Sequence, residues 1–86
     1  MGKHQKTLEK ILDAMADNTI AFRDLCNLLE FLGFDERIKG DHHIFTRADI
    51  TEILNLQPKG SKAKAYQVKQ VRNLIVEYRL GENEDA

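Results

Sequence analysis

The segment Gly40–His43 concentrates titratable side chains that could do chemistry, because two histidines, His42 and His43, are adjacent there. A histidine in a model peptide titrates near about pH 6.5, so it can both accept and donate a proton at neutral pH. RNA carries its own nucleophile, the 2′-hydroxyl. One acid/base group beside that hydroxyl and one cation beside the phosphate can therefore promote strand cleavage. Either histidine could supply the first group, and Lys39 or a base within residues 57–72 could supply the second.

Other interpretations of these histidines are open at this point. Adjacent histidines at a turn are commonly surface polar residues without a chemical role. A metal site would need a third and a fourth ligand, but the only neighbouring candidate is Asp41, and His4 is remote in sequence. The single cysteine, Cys26, excludes an internal disulfide and a cysteine-based zinc cluster. We therefore predict no metal and no cofactor.

Basic side chains are unevenly distributed along the chain. The net charge is −1, and a pI near 6.3 argues against a protein that binds nucleic acid over its whole surface. Residues 57–72, however, hold five bases and no acid, namely Lys59, Lys62, Lys64, Lys69 and Arg72. Such a local stripe can attract phosphates on its own. The alternative is a solvated helix face preceded by a mobile loop.

Apolar spacing predicts three helices. The first covers about residues 5–16, with an apolar face of Leu8, Ile11, Leu12 and Met15. The second has Cys26 on its buried face, and Gly33 stands where a C′ glycine would end it. The third covers about residues 65–79, with an apolar face of Val68, Val71, Leu74, Ile75 and Tyr78.

Between the second and third helices the pattern is typical of short strands. Phe34, Glu36 and Ile38 alternate on one side of the first strand, and Gly40-Asp41 indicates a hairpin turn. The predicted segments are strands over 34–39, 42–46 and 53–57, a loop over 47–49 and a flexible basic linker over 59–64.

These elements predict an α+β fold with the order α-α-β-β-β-α. The simplest packing is one three-stranded antiparallel sheet that carries the helices on one face and leaves the other open. We expect a single domain over residues 1–81, which begins with an N-terminal helix within residues 1–17. An acidic, disordered tail over residues 82–86 would follow.

Several segments together resemble one known family. A helix ending Leu32-Gly33-Phe34 precedes Gly40-Asp41-His42, and the later segments are His42–Phe45, Ile53–Pro58 and Tyr66–Arg72. They resemble the HicA-type toxins, the mRNA-cleaving half of a bacterial toxin–antitoxin pair, and in particular a longer subgroup with an added N-terminal helix. The resemblance extends from about Leu8 to Tyr78.

The resemblance implies a fold similar to the double-stranded-RNA-binding domain. It also implies an endoribonuclease that cuts mRNA without a required metal, with catalysis at the position of His42. A HicB-type antitoxin would cover the active site. The bases expected to hold RNA phosphates are Lys39, Lys59, Lys62, Lys64, Lys69 and Arg72.

One position departs from the family pattern, because Asp41 stands where the family usually has serine. A carboxylate there could orient the imidazole of His42 and stabilise its charged form. It could instead repel the RNA backbone. An inactivated toxin or a non-catalytic RNA-binding module on the same fold is therefore the main alternative.

Strand alternation decides which histidine is free for chemistry. If Ile44 faces the core, His42 faces it too and His43 points outward; if Phe45 faces the core, the two histidines exchange places. Because the resemblance implies catalysis at His42, we predict that Phe45 is inside, or that the alternation breaks at the turn, and that His43 is structural.

Without the resemblance, a third alternative is a helical protein–protein adaptor built on the first two helices. No apolar run approaches the roughly 20 residues that span a bilayer, and no signal peptide is recognisable. We expect a cytoplasmic protein that is a monomer or weak oligomer when free.

Overall fold

A computed structural model describes residues 2–81. Helix α1 (Lys3–Asp13), a single 3₁₀ turn (Asp17–Thr19) and helix α2 (Phe22–Phe31) precede the strands. The strands are β1 (Asp35–Lys39), β2 (His42–Arg47), β3 (Ile50–Leu56), β4 (Pro58–Lys59) and β5 (Lys62–Ala63). Helix α3 (Ala65–Glu77) follows them. The predicted tail over 82–86 lies outside the described residues.

The central sheet has three antiparallel strands, as predicted, and their order is β1-β2-β3. Phe45 pairs with Glu36 on one side and with Leu54 on the other, so these three side chains share a face. Phe45 is fully buried in a core that also includes residues of all three helices. The helices therefore cover one face of the sheet, and the prediction that Phe45 points inward is confirmed.

Helix α2 ends as its sequence predicts. Gly33 takes a left-handed φ of 97°, its N–H donates to Glu30 O at 3.0 Å, and the N–H of Phe34 donates to Leu29 O at 3.0 Å. This is the Schellman arrangement, which glycine favours because it has no Cβ to clash. The turn directs the chain from α2 into β1.

The first helix is shorter at its end than the periodicity predicts. Ala14 is left-handed (φ 61°) and donates its N–H to Ile11 O, which ends the helix at Asp13. Ile11 is buried, but Leu12 and Met15 are 46% and 82% exposed. The predicted apolar face is therefore wrong for Leu12 and Met15, because the helix ends before Met15 and the Leu12 side chain points away from the core.

The flexible linker predicted over 59–64 is instead a β-hairpin, formed by β4 and β5. The hairpin is attached to the start of α2, because Ala21 bridges Lys62 and the N–H of Phe22 donates to Ser61 O at 2.9 Å. Ala63 is buried. The basic segment is thus held in a fixed position beside the sheet.

Helix α3 buries the apolar face that its periodicity predicts, and Tyr78 is half-buried at its end. Arg72 ties this helix to the N-terminal elements: it donates to Ile11 O at 3.1 Å and makes two hydrogen bonds with the Asp17 carboxylate at 2.9 and 3.2 Å. None of the helices within residues 2–81 is long and apolar enough to cross a membrane.

Candidate active site

The turn Gly40-Asp41 places His42 at the first position of β2. Gly40 has a φ of 64° and Asp41 has no positive φ. A two-residue hairpin turn with only its first residue at positive φ is of type II′, which favours glycine at that position. Lys39 pairs with His42 across this turn. The hairpin therefore brings a cationic side chain and an imidazole to the same face of the sheet.

His42 lies on the open face and is held there by Asn55. Its Nδ1–H donates to Asn55 Oδ1 at 2.9 Å, a contact between diagonal neighbours on β2 and β3. Nε2 of His42 has no hydrogen-bond partner within residues 2–81. When the ring is neutral, a proton on Nδ1 leaves the lone pair on Nε2. The arrangement therefore presents an acceptor for a proton on an exposed surface.

Asp41 does not orient His42. Its Oδ2 accepts a hydrogen bond from Gln57 Nε2 at 2.9 Å, and Gln57 is itself held because its backbone N–H donates to the buried Gln67 Oε1 at 3.2 Å. The hydrogen bond from Gln57 is the main cause that lowers the pKa of Asp41, and the charges of His42 and Lys64 lower it further. A carboxylate with a lowered pKa stays negative at neutral pH, next to the imidazole.

Lys39 lies beside His42, and the other predicted phosphate-binding residues, those of the 57–72 stripe, divide into three groups. Lys59, Lys62 and Lys64 line one open groove along the β4–β5 hairpin. Lys69 is exposed on α3 but does not line that groove. Arg72 is engaged by Asp17 and by a backbone carbonyl, with a side chain only 16% exposed. The guanidinium of Arg72 thus has a structural partner, and the free cations of the stripe are the lysines.

On the covered face, His43 has a different environment. Its Nδ1–H donates to Glu36 Oε2 at 2.6 Å, with both side chains about four-fifths buried (22% and 20% exposed). Its ring and that of Phe22 form a T-shaped pair with centroids 4.8 Å apart. The predicted structural role of His43 agrees with this position.

Cys26 joins this pair to form the cluster Cys26–Glu36–His43, whose ligand atoms lie within 4.8 Å of one another. Thiolate, carboxylate and imidazole are ligands that Zn²⁺ accepts. The imidazole of His43 and the carboxylate of Glu36 are, however, already hydrogen-bonded to each other. Burial is the main cause that raises the pKa of the Cys26 thiol to about 12, and the charges of Glu36 and Glu30 raise it further. The thiol is therefore protonated at neutral pH, so it is a poor nucleophile and would have to lose its proton to bind a metal.

Sequence reasoning missed Asn55 and Gln57, the residues that hold His42 and Asp41. The only available signal for Asn55 is its parity, because it alternates with Leu54 and Leu56 of the same strand and must face the open side. Gln57 lies just beyond β3, where no periodicity fixes its direction. The contact between Gln57 and Asp41 depends on the register of the folded sheet.

Comparison with known proteins gives no matching family model, no similar curated protein and no similar solved structure.

Proposed function

We propose that this chain is an endoribonuclease toxin of the HicA type, which cleaves mRNA in the cytoplasm on a fold like that of the double-stranded-RNA-binding domain. One observation carries the proposal: His42 is exposed on the open face, with Asn55 holding Nδ1 and with Nε2 free. A general base needs this combination of access, fixed orientation and a free lone pair.

The proposed reaction uses the substrate's own hydroxyl. Nε2 of His42 takes the proton of a 2′-hydroxyl as its oxygen attacks the adjacent phosphorus. The bond from phosphorus to the 5′-oxygen breaks, and that oxygen takes a proton from water. The hydroxide so formed takes the proton held on Nε2, which regenerates water and the free imidazole. The products are a 2′,3′-cyclic phosphate and a 5′-hydroxyl. Lys39, which pairs with His42 across the hairpin, stabilises the charge that develops on the phosphate oxygens. No step uses a metal.

A HicB-type antitoxin is the proposed partner, and it inhibits by covering the open face. Ile53 on this face is 65% exposed, and Ile44 beside it is partly exposed. Apolar side chains on the same face as His42 would let a protein partner bury the site and exclude RNA.

A second candidate function is RNA binding without cleavage, and the observation that favours it is Asp41. Its carboxylate is exposed, next in sequence to His42 and within the electrostatic influence of Lys64, where it opposes the approach of a phosphate. In this case the lysine groove would bind RNA and the histidine would have no chemical role.

The test is cleavage of one single-stranded RNA by the purified chain in EDTA. Matched substrates are DNA of the same sequence and RNA with 2′-O-methyl groups. We expect cleavage of the RNA alone, with 2′,3′-cyclic phosphate ends. Binding of all three strands with cleavage of none would favour the RNA-binding module, and cleavage of the DNA would contradict the proposed mechanism.

A further inference from the structure

The groove along the β4–β5 hairpin adjoins the candidate active site and has a cationic lining. Its walls come from the hairpin, the first turn of α3 and Asn18 of the 3₁₀ turn, and they include Pro58, Lys59, Lys62, Lys64 and Tyr66. Within residues 2–81, no carboxylate lines it. Lys64 is also close enough to Asp41 to act on its charge. Pro58 directly follows Gln57, whose side chain donates to Asp41 at 2.9 Å, so one end of the groove lies close to the turn that carries His42.

Tyr66 is the aromatic side chain that this groove presents to solvent, with 61% of the residue exposed. Phe31 is also exposed, but it stacks on His4 with ring centroids 4.6 Å apart. Tyr78 donates its hydroxyl to Glu52 at 2.6 Å. Within residues 2–81, Tyr66 has neither a ring partner nor a side-chain hydrogen bond. Its exposed ring surface has no contact within the fold to account for it.

The groove is formed before any ligand binds. Backbone hydrogen bonds attach β5 to the chain before α2, with the N–H of Ala63 donating to Ile20 O at 2.9 Å. Tyr66 lies in the first turn of α3, whose following residues Gln67 and Val68 are buried. The ring and the lysines thus stand on rigid elements, which reduces the entropic cost of binding.

Resting on the proposed function, we propose that Tyr66 is a base-stacking subsite, at which an unpaired base of single-stranded RNA lies on the ring while Lys59, Lys62 and Lys64 contact the flanking phosphates. A flat aromatic face beside cations is the usual means of binding single strands. In a duplex the bases are stacked internally and the major groove is deep and narrow. Tyr66 therefore selects single strands.

The experiment measures RNA affinity in the His42→Ala background, where the strand stays intact. We expect Tyr66→Ala to weaken binding of a single strand about tenfold or more, and Tyr66→Phe to bind like the parent. A duplex of the same sequence should bind more weakly than the single strand and be insensitive to Tyr66→Ala. The control Val76→Ala, also exposed on α3, should leave affinity unchanged.

Salt dependence separates stacking from charge. Tyr66→Ala should leave the slope of log K against log salt unchanged, whereas Lys62→Gln should reduce it by about 0.7.

The inference is overturned if Tyr66→Ala binds the single strand as tightly as the parent does, or if the substitution weakens duplex binding equally. If the wild type binds RNA without cutting it and Tyr66→Ala still weakens binding, the subsite stands and the proposed cleavage fails. If the wild type cleaves RNA and Tyr66→Ala binds it normally, the proposed cleavage stands and the stacking subsite fails. Absence of any RNA binding contradicts both.

Discussion

His42 and His43 are adjacent in sequence, yet they belong to two different regions of the molecule. His42 is on the open face of the sheet, exposed and bonded to Asn55 at 2.9 Å. His43 is on the helix-covered face, bonded to Glu36 at 2.6 Å and packed against Phe22. One imidazole is therefore exposed to solvent, and the other is largely buried between the sheet and the helices.

Strand geometry produces this difference. Successive side chains of a strand point to opposite faces, so burial of Phe45 fixes the direction of both histidines. A shift of one residue in the pairing would exchange them and bury the imidazole proposed to act on RNA. The hydrophobic core therefore determines which histidine is available for catalysis.

The largest effect on the rate should come from the open-face histidine. His42→Ala should reduce RNA cleavage by about 100- to 10,000-fold, since that is the typical contribution of a general acid/base. The free energy of unfolding should change little, because the side chain is exposed. Cleavage rate and urea unfolding, measured on the same preparation, check this; a folded His42→Ala protein with normal activity would contradict the assignment.

The second largest effect on the cleavage rate should come from Asn55, which positions the ring of His42. Asn55→Ala removes the acceptor that holds Nδ1 of His42, so the cleavage rate should fall about tenfold through lost orientation, while RNA affinity stays the same. Thr51→Ala, on the same face of β3 but further along the strand, serves as the control. A drop in affinity without a drop in the maximal rate would show that Asn55 contacts RNA instead.

Asp41→Ser should have a smaller effect of the opposite sign. Removal of a negative charge close to the proposed RNA phosphates should raise RNA affinity about fivefold at low salt, and the gain should diminish as salt screens the site. Asp13→Ser makes the same charge change at the exposed end of α1 and should have no such effect. An unchanged affinity would show that Asp41 does not face the RNA.

The pH dependence of this effect follows from the hydrogen bond to Gln57, which lowers the pKa of Asp41. The carboxylate is charged at every pH above its ordinary range, so the gain from Asp41→Ser should persist down to that range. The stability that the bond with Gln57 contributes is likewise present above the ordinary pKa and is lost as the pH falls through the lowered one.

On cleavage itself, the covered-face histidine should matter least. His43→Ala leaves Glu36 partly buried without its partner, which should cost about 1–2 kcal/mol of unfolding free energy. At temperatures where the variant is folded, its cleavage rate should stay within about twofold of wild type. Chemical denaturation and initial rates check both parts, and a fully folded but inactive His43→Ala protein would reverse the roles of the two histidines.

Local patterns were enough to predict much of this architecture. Periodicity predicts the buried face of α3, and Gly33 marks the end of α2, because both depend on residues close in sequence. The β4–β5 hairpin was missed, since its stability comes from backbone bonds to the chain around Ala21, about forty residues earlier. The contacts of Arg72 with Asp17 and of Asn55 with His42 are likewise long-range. The local charge pattern predicts Arg72 as a phosphate-binding cation, because its ion pair with the distant Asp17 leaves no signal in the neighbouring sequence.

The most direct test of the central claim is rescue of His42→Ala by added imidazole. The missing ring lies on an exposed face, so a small base can enter from solvent and take the proton of the 2′-hydroxyl. Cleavage of one single-stranded RNA is measured with rising imidazole for wild type, His42→Ala and His43→Ala. We predict that imidazole increases the rate of His42→Ala alone, and more strongly as the pH rises and more of the imidazole is neutral. Rescue of His43→Ala, with none for His42→Ala, would contradict the account.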